Sequence, residues 1–141
     1  MIPPLVIEDV RIIDPVDGFD EIGSILISDG IIKARGRPQK IEGAKSINGK
    51  GLIVSPGFID LHCHLREPGF EDKETIASGT RAGARGGFTS LCCMPNTSPP
   101  IDNVSTVRFI QEAAYSAGPI RVFPIGSVTK NRAGSELSDM E

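Results

Sequence analysis

The sequence predicts an α/β protein in two parts: a small antiparallel β unit over residues 1–55, then parallel strand–helix units over residues 56–141. Two observations carry this. Before residue 55, short Val- and Ile-rich runs are separated by turn residues, which reads as strands and hairpins. After it, strand-like runs alternate with helical stretches, the pattern of βα units and a parallel sheet. A third observation marks the joint. The apolar run from Leu52 to Ile59 leads straight into Asp60, His62 and His64, and these are the only two histidines of the chain.

In order, residues 5–13 read as the first strand, broken by Asp14-Pro15 and Asp17-Gly18. Residues 22–28 and 31–34 flank Asp29-Gly30, a two-residue hairpin signal. Residues 45–48 and 52–54 supply two further short strands around Gly49 and Gly51. Residues 57–61 open the second part. Residues 71–85 form the first expected helix, with acids in its opening turn, where the helix dipole favours them. Gly79 and Gly83 lie on one face of it; glycine weakens a helix, so close packing against the sheet is the expected compensation. Residues 88–92 form the next strand. Asp102 or Asn103 caps the second helix, whose stripe is Val104, Val107, Ile110 and Ala114, and Gly118-Pro119 stops it. Residues 120–125 are a third strand. Ser138-Asp139-Met140-Glu141 has the Ser-x-x-Glu form of a capping box and predicts the start of another helix.

Composition narrows the function. With 39% apolar residues, the 141-residue chain carries enough to build a core. A net charge of −3 with interspersed signs, no Trp and one Tyr point away from nucleic acid and from a membrane surface. Met1-Ile2-Pro3-Pro4 lacks the basic-then-apolar pattern of a signal peptide, and no apolar run is long enough to span a bilayer. Cys63, Cys92 and Cys93 are too few and too clustered for a disulfide framework, and read as reduced strand residues of a cytoplasmic protein.

The chemistry concentrates at the joint. Side chains alternate along a strand, so Asp60, His62 and His64 share one face, while Leu61 and Cys63 take the other. Two adjacent imidazoles at a strand end suit a divalent transition metal. Asp60 is a candidate to support an imidazole from behind. Arg66 comes at once after them, a guanidinium fork able to grip a carboxylate with two hydrogen bonds. Asn96 comes just after the second strand of this part, at the end where βα loops build sites. Thr89 and Ser90 read as strand polar groups rather than nucleophiles, since no base lies near them in sequence.

The runs His62-Cys63-His64-Leu65-Arg66-Glu67-Pro68-Gly69, Gly86-Gly87-Phe88-Thr89, Met94-Pro95-Asn96-Thr97 and Ile101-Asp102-Asn103 together resemble the amidohydrolase superfamily, and within it the dihydroorotases. Allantoinases share the Glu-Pro-Gly and Gly-Gly parts but not this Arg and Asn, and hydantoinases lack the Arg-Glu-Pro-Gly run. The resemblance implies a β-sandwich begun by residues 1–55 and a metal-dependent-hydrolase barrel of TIM type, (β/α)8, begun by residues 56–141. It implies zinc, two ions per complete active site, with His62 and His64 on the first. It implies substrate contacts from His64, Arg66 and Asn96. The reaction would interconvert N-carbamoyl-L-aspartate and dihydroorotate in pyrimidine biosynthesis.

The same resemblance puts the bridging aspartate, two further histidines and the catalytic aspartate on later strands, beyond Glu141. No catalytic residue is therefore expected within this segment. A barrel of eight units takes about 250 residues, and the residues after Pro56 are enough for about three units. The chain accordingly reads as the front part of a larger enzyme, inactive alone. Partners implied are the small-molecule substrate, a second copy of the chain, or aspartate transcarbamoylase. Two other readings stand beside this one: a non-catalytic dihydroorotase-like scaffold for aspartate transcarbamoylase, from which metal ligands would be lost, and an allantoinase-like cyclic amidase, which would need no carboxylate-binding Arg66.

Overall fold

Val- and Ile-rich segments and two short exposed or half-buried ones form the strands of the first unit: β1 (Leu5–Asp14), β2 (Phe19–Ser28), β3 (Ile31–Gly36), β4 (Lys45–Asn48) and β5 (Ile53–Val54). The computed structural model describes residues 3–37 and 41–140, and the chain divides between Pro56 and Gly57 into two compact units. In the first unit the sheet order is β3-β2-β1-β4, with β5 also on β1. Asp29 and Gly30 take φ of +54° and +73°, as a tight hairpin between β2 and β3 requires. Val10, Ile12 and Ile25 form the core of this unit.

The unit is not purely antiparallel. β4 and β5 both pair with β1 in parallel. The sequence pattern predicts these two short strands in an antiparallel unit. β4 instead lies on the edge of β1 away from β2, and because β3 already runs the same way as β1, this parallel pairing makes the β3–β4 connection a crossover.

The second unit contains β6 (Phe58–Cys63), α1 (Ile76–Arg85), β7 (Phe88–Cys93), α2 (Val104–Ala117), β8 (Arg121–Pro124) and a 3-10 turn at Lys130–Arg132. The three strands form one parallel sheet in the order β6-β7-β8. Its core gathers Leu65, Ile76, Leu91, Cys93, Ile101, Ile110, Ala114 and Val122. The helix glycines pack closely: a Cβ on Gly79 would lie 2.5 Å from Leu65 Cδ2, and one on Gly83 2.8 Å from Ile120 Cδ1. Asn103, rather than Asp102, caps α2, its side chain accepting from the Thr106 N–H at 3.0 Å. Asp102 turns to the 3-10 turn and accepts from the Asn131 N–H at 2.7 Å.

Two expectations need correction. α1 starts at Ile76, five residues later than the charge pattern suggested, and carries no acid in its first turn. Thr75 is the cap: its hydroxyl oxygen accepts from the Ser78 N–H, and its own N–H donates to Ser78 Oγ, both at 3.0 Å. A Thr-x-x-Ser box lacks the Glu or Gln that marks this motif in a sequence. The negative charge at the helix start comes instead from Glu67, whose Oε2 accepts from the Ile76 N–H at 2.7 Å. Ser138 likewise opens no helix through Met140. Its N–H donates to the Val128 carbonyl at 3.0 Å, its hydroxyl to the Ser127 carbonyl, and Leu137 and Asp139 form bridges with Thr129 and Asn103. Glu141, the last member of that expected box, lies outside the described residues.

Candidate functional site

β6 and β7 are parallel and end in register, Cys63 opposite Cys93, so the segments after them leave the sheet at the same end. In parallel α/β sheets this carboxyl end is where ligands bind. The two segments are laced together by backbone bonds. The Met94 N–H donates to the Cys63 carbonyl and the Ser98 N–H to the Pro68 carbonyl, both at 2.9 Å. Leu65, 4% exposed, roots the first segment in the core, and the fully buried Ile101 roots the second.

This lacing carries Asn96 to His64. The His64 Nδ1 lies 2.9 Å from Asn96 Oδ1. A carbonyl oxygen only accepts, so Nδ1 carries the hydrogen, and in the neutral ring the lone pair is then on Nε2. The rings of His62 and His64 lie 5.3 Å apart at 68° to one another, and both are exposed. Asp60 shows a backbone hydrogen bond instead of one to an imidazole. Its Oδ1 accepts from the backbone N–H of His62 at 2.9 Å, closing a local turn of the chain at the strand end. The imidazole support came from a residue 32 positions away, which strand alternation alone has no means of finding.

Arg66 sits in the left-handed region with φ of +64°. A non-glycine residue there costs energy and is worth a functional question. The adjacent carboxylates are engaged elsewhere: Glu67 with the start of α1, and Glu71 Oε1 with the Gly69 N–H at 2.8 Å. Among the described residues Arg66 forms no ion pair.

Cys63 and Cys93 sit with the core. Burial first, then the neighbouring Cys93, Asp60 and Cys92, push the Cys63 thiol up to about 12, and burial pushes Cys93 up to about 11. Both stay protonated at neutral pH. Cys63 packs against the core, and its Sγ donates to the Cys92 carbonyl at 3.5 Å. Ser90 is buried, and the Thr89 hydroxyl donates to the Phe58 carbonyl.

Among the described residues no group of three or more His, Cys, Asp or Glu side chains could hold a metal ion. The two imidazoles nevertheless fit one in part. An imidazole that donates its other N–H to a fixed acceptor is the form a metal ligand takes, and His64 has it. A catalytic zinc takes three protein ligands, so His62 and His64 supply a partial set.

The family model described as dihydro-orotase-like matches residues 51–141. The chain belongs to this family. A dihydroorotase of Solibacter usitatus is 49% identical over 135 residues, covering 96% of this chain and 31% of the relative. A dihydroorotase of Geobacter metallireducens is 48% identical over 137 residues, covering 96% and 32%. The chain thus spans about a third of the length of the curated relatives it matches. Among solved structures, the L-hydantoinase of Arthrobacter aurescens superposes with a TM-score of 0.78 at 22% identity, over 92% of this chain and 28% of that one. A crystal structure of a dihydroorotase superposes with a TM-score of 0.64 at 18% identity, over 92% and 32%. At these identities the likeness shows the fold. The dihydro-orotase-like chain has the mixed sheet and opening βα units of the amidohydrolase architecture. The family match starts at Gly51, so it takes in the whole second unit, where the imidazoles, Arg66 and Asn96 lie.

Proposed function

We propose that the chain is the opening third of a metal-dependent cyclic amidase of the dihydroorotase type, which interconverts N-carbamoyl-L-aspartate and dihydroorotate on the route to pyrimidine nucleotides. One observation supports this most directly: a pair of imidazoles, one with its Nε2 free, stands two residues from a guanidinium that no carboxylate of its own loop neutralises. A cation-binding group beside an anion-binding group is what a substrate carrying both a carboxylate and a reactive amide carbonyl requires.

The roles rest on the chemistry of each group. His62 and His64 would hold the first zinc as neutral imidazoles. When bound, a zinc pair would lower the pKa of a water and polarise the amide carbonyl. Arg66 would grip the substrate carboxylate with its two-pronged guanidinium, which fixes the plane of the acid and so the direction of the amide. Asn96 would donate its amide N–H to the same acid. These residues orient the substrate; the groups that move its protons belong to the remaining two thirds of such an enzyme, so these residues alone are inactive. The free cysteines suit a cytoplasmic protein. No helix among the described residues is long and apolar enough to cross a membrane.

The test is a chimera in which this chain replaces the matching third of the Solibacter relative. The reading expects zinc-dependent conversion of dihydroorotate, lost on His62→Ala. A folded chimera that turns over allantoin and not dihydroorotate would transfer the reading to an allantoinase. A folded chimera with no cyclic-amidase activity, beside an active parent, would leave a scaffold.

A further inference from the structure

We propose that Asn96 is a positioning residue for His64: it holds the Nδ1 proton, so that the neutral ring presents the lone pair of Nε2. This deepens the reading above and rests on it for its purpose, which is metal binding. The hydrogen bond itself stands on geometry alone, 2.9 Å between His64 Nδ1 and an oxygen that can only accept.

The physical need is specific. A neutral histidine exposed to water favours the tautomer with its hydrogen on Nε2, which blocks that nitrogen as a ligand. His64 is exposed, so burial does not choose its tautomer. Asp60, the acid nearest on its own strand face, is committed to the His62 backbone N–H. Asn96 is the group that remains, and it is well supported. Thr97 beside it is buried, with its hydroxyl donating to the Pro99 carbonyl at 2.7 Å, and Met94 and Ser98 are both bonded to the segment that carries His64. The amide nitrogen of Asn96 makes no hydrogen bond among the described residues. One side chain would thus join the two halves of the site, its oxygen on the metal-facing imidazole and its N–H groups toward an anionic ligand beside Arg66.

The test uses the 141-residue chain, whose two histidines give only two imidazole spin systems. Long-range 1H–15N correlation at about pH 8.5, where an ordinary histidine is neutral, reads each tautomer directly. The His64 set is assigned by its loss in His64→Gln. The expected result is an Nδ1–H tautomer at His64, retained in Asn96→Asp, which keeps an acceptor, and shifted toward Nε2–H in Asn96→Leu. Zn2+ affinity should then fall about ten-fold or more in the Leu variant. An Nε2–H tautomer at His64 in the unaltered chain overturns the proposal, as does an unchanged Nδ1–H tautomer in Asn96→Leu. Should the Leu variant fail to fold, the unaltered chain and the Asp variant decide the question. The metal reading fails separately: tautomers as expected, with neither Nε2 resonance moved by Zn2+, would sink the metal site and leave the positioning bond standing.

Discussion

Gly69 joins the two segments of the site, and replacing it with alanine should be among the most costly small changes in the second unit. Its φ is +98°, where a side chain is strained, and a Cβ there would lie 2.2 Å from the Ser98 carbonyl oxygen and 2.6 Å from Ser98 Cβ. The backbone term alone costs about 1–2 kcal/mol. Relief of the collision must push residues 66–70 away from residues 94–99. That breaks the Ser98-to-Pro68 backbone bond, about 1 kcal/mol, and adds an overpacking cost of about 1–3 kcal/mol. Gly87 is the control: its φ is +83°, yet the nearest contact of an added Cβ is an ordinary 3.6 Å to the Phe58 ring. Urea unfolding followed by helical circular dichroism reports the second unit, since both α-helices lie there. Gly87→Ala should lose about 1–2 kcal/mol, and Gly69→Ala about 2–4 kcal/mol more at an unchanged denaturant slope. Equal losses, within about 0.5 kcal/mol, would refute the claim that the two loops are in hard contact at this point.

Three other outcomes are expected from the same structure. Glu67→Ala removes the acceptor of the Ile76 N–H and should cost about 2 kcal/mol in urea unfolding, because the bond is charge-assisted and sits at a helix start. In a complete enzyme bearing these residues, Arg66→Lys should raise the KM for carbamoyl aspartate far more than it lowers kcat, since a point charge cannot replace a planar fork; an unchanged KM would remove Arg66 from the substrate site. The folded-state pKa of Cys93 lies above its unfolded value, near 11 against 9.0, so the stability it contributes is complete below about pH 9 and is lost as pH rises toward 11. Cys93→Ala should flatten that part of the stability–pH curve, measured by urea unfolding at each pH.

Much of the fold was legible because it rests on local rules. Asp29-Gly30 could hardly make anything but a tight turn, and the strand–helix alternation after Gly57 fixed a parallel sheet. Asn103, Gly118 and Pro119 bounded α2 as such residues do. What was not legible depended on partners distant in sequence. The parallel pairing of β4 with β1 depends on a crossover from β3 to the far edge of β1, which no residue of β4 signals. The late start of α1 is decided partly by Glu67, nine residues upstream, which lies in the loop and not in the helix. The acids at residues 71–74 mimicked a first helical turn, yet Glu71 bonds back to Gly69 and Glu74 to the Ser78 hydroxyl within the cap. At the site, strand alternation could group Asp60 with the histidines but could not see that Asp60 would bend back onto its own backbone while Asn96 arrived from across the sheet.

This division of labour bears on why Arg66 is the best candidate for a ligand contact. An arginine in an acid-rich loop would ordinarily be spent on its neighbours; Glu67, Glu71 and Glu74 all lie within eight residues of it. Each of those carboxylates is engaged with a backbone N–H or a hydroxyl, the first two at distances of 2.7 and 2.8 Å. Backbone N–H groups at a helix start disperse negative charge without a counter-cation. The loop thus engages Glu67, Glu71 and Glu74 internally and pairs none of them with Arg66. The left-handed backbone at Arg66 points the same way, because a conformation that a side chain disfavours would be relieved by glycine unless the side chain itself were needed. An arginine held in that conformation, unpaired with Glu67, Glu71 and Glu74 and two residues from His64, is what the proposed grip on a substrate carboxylate would use.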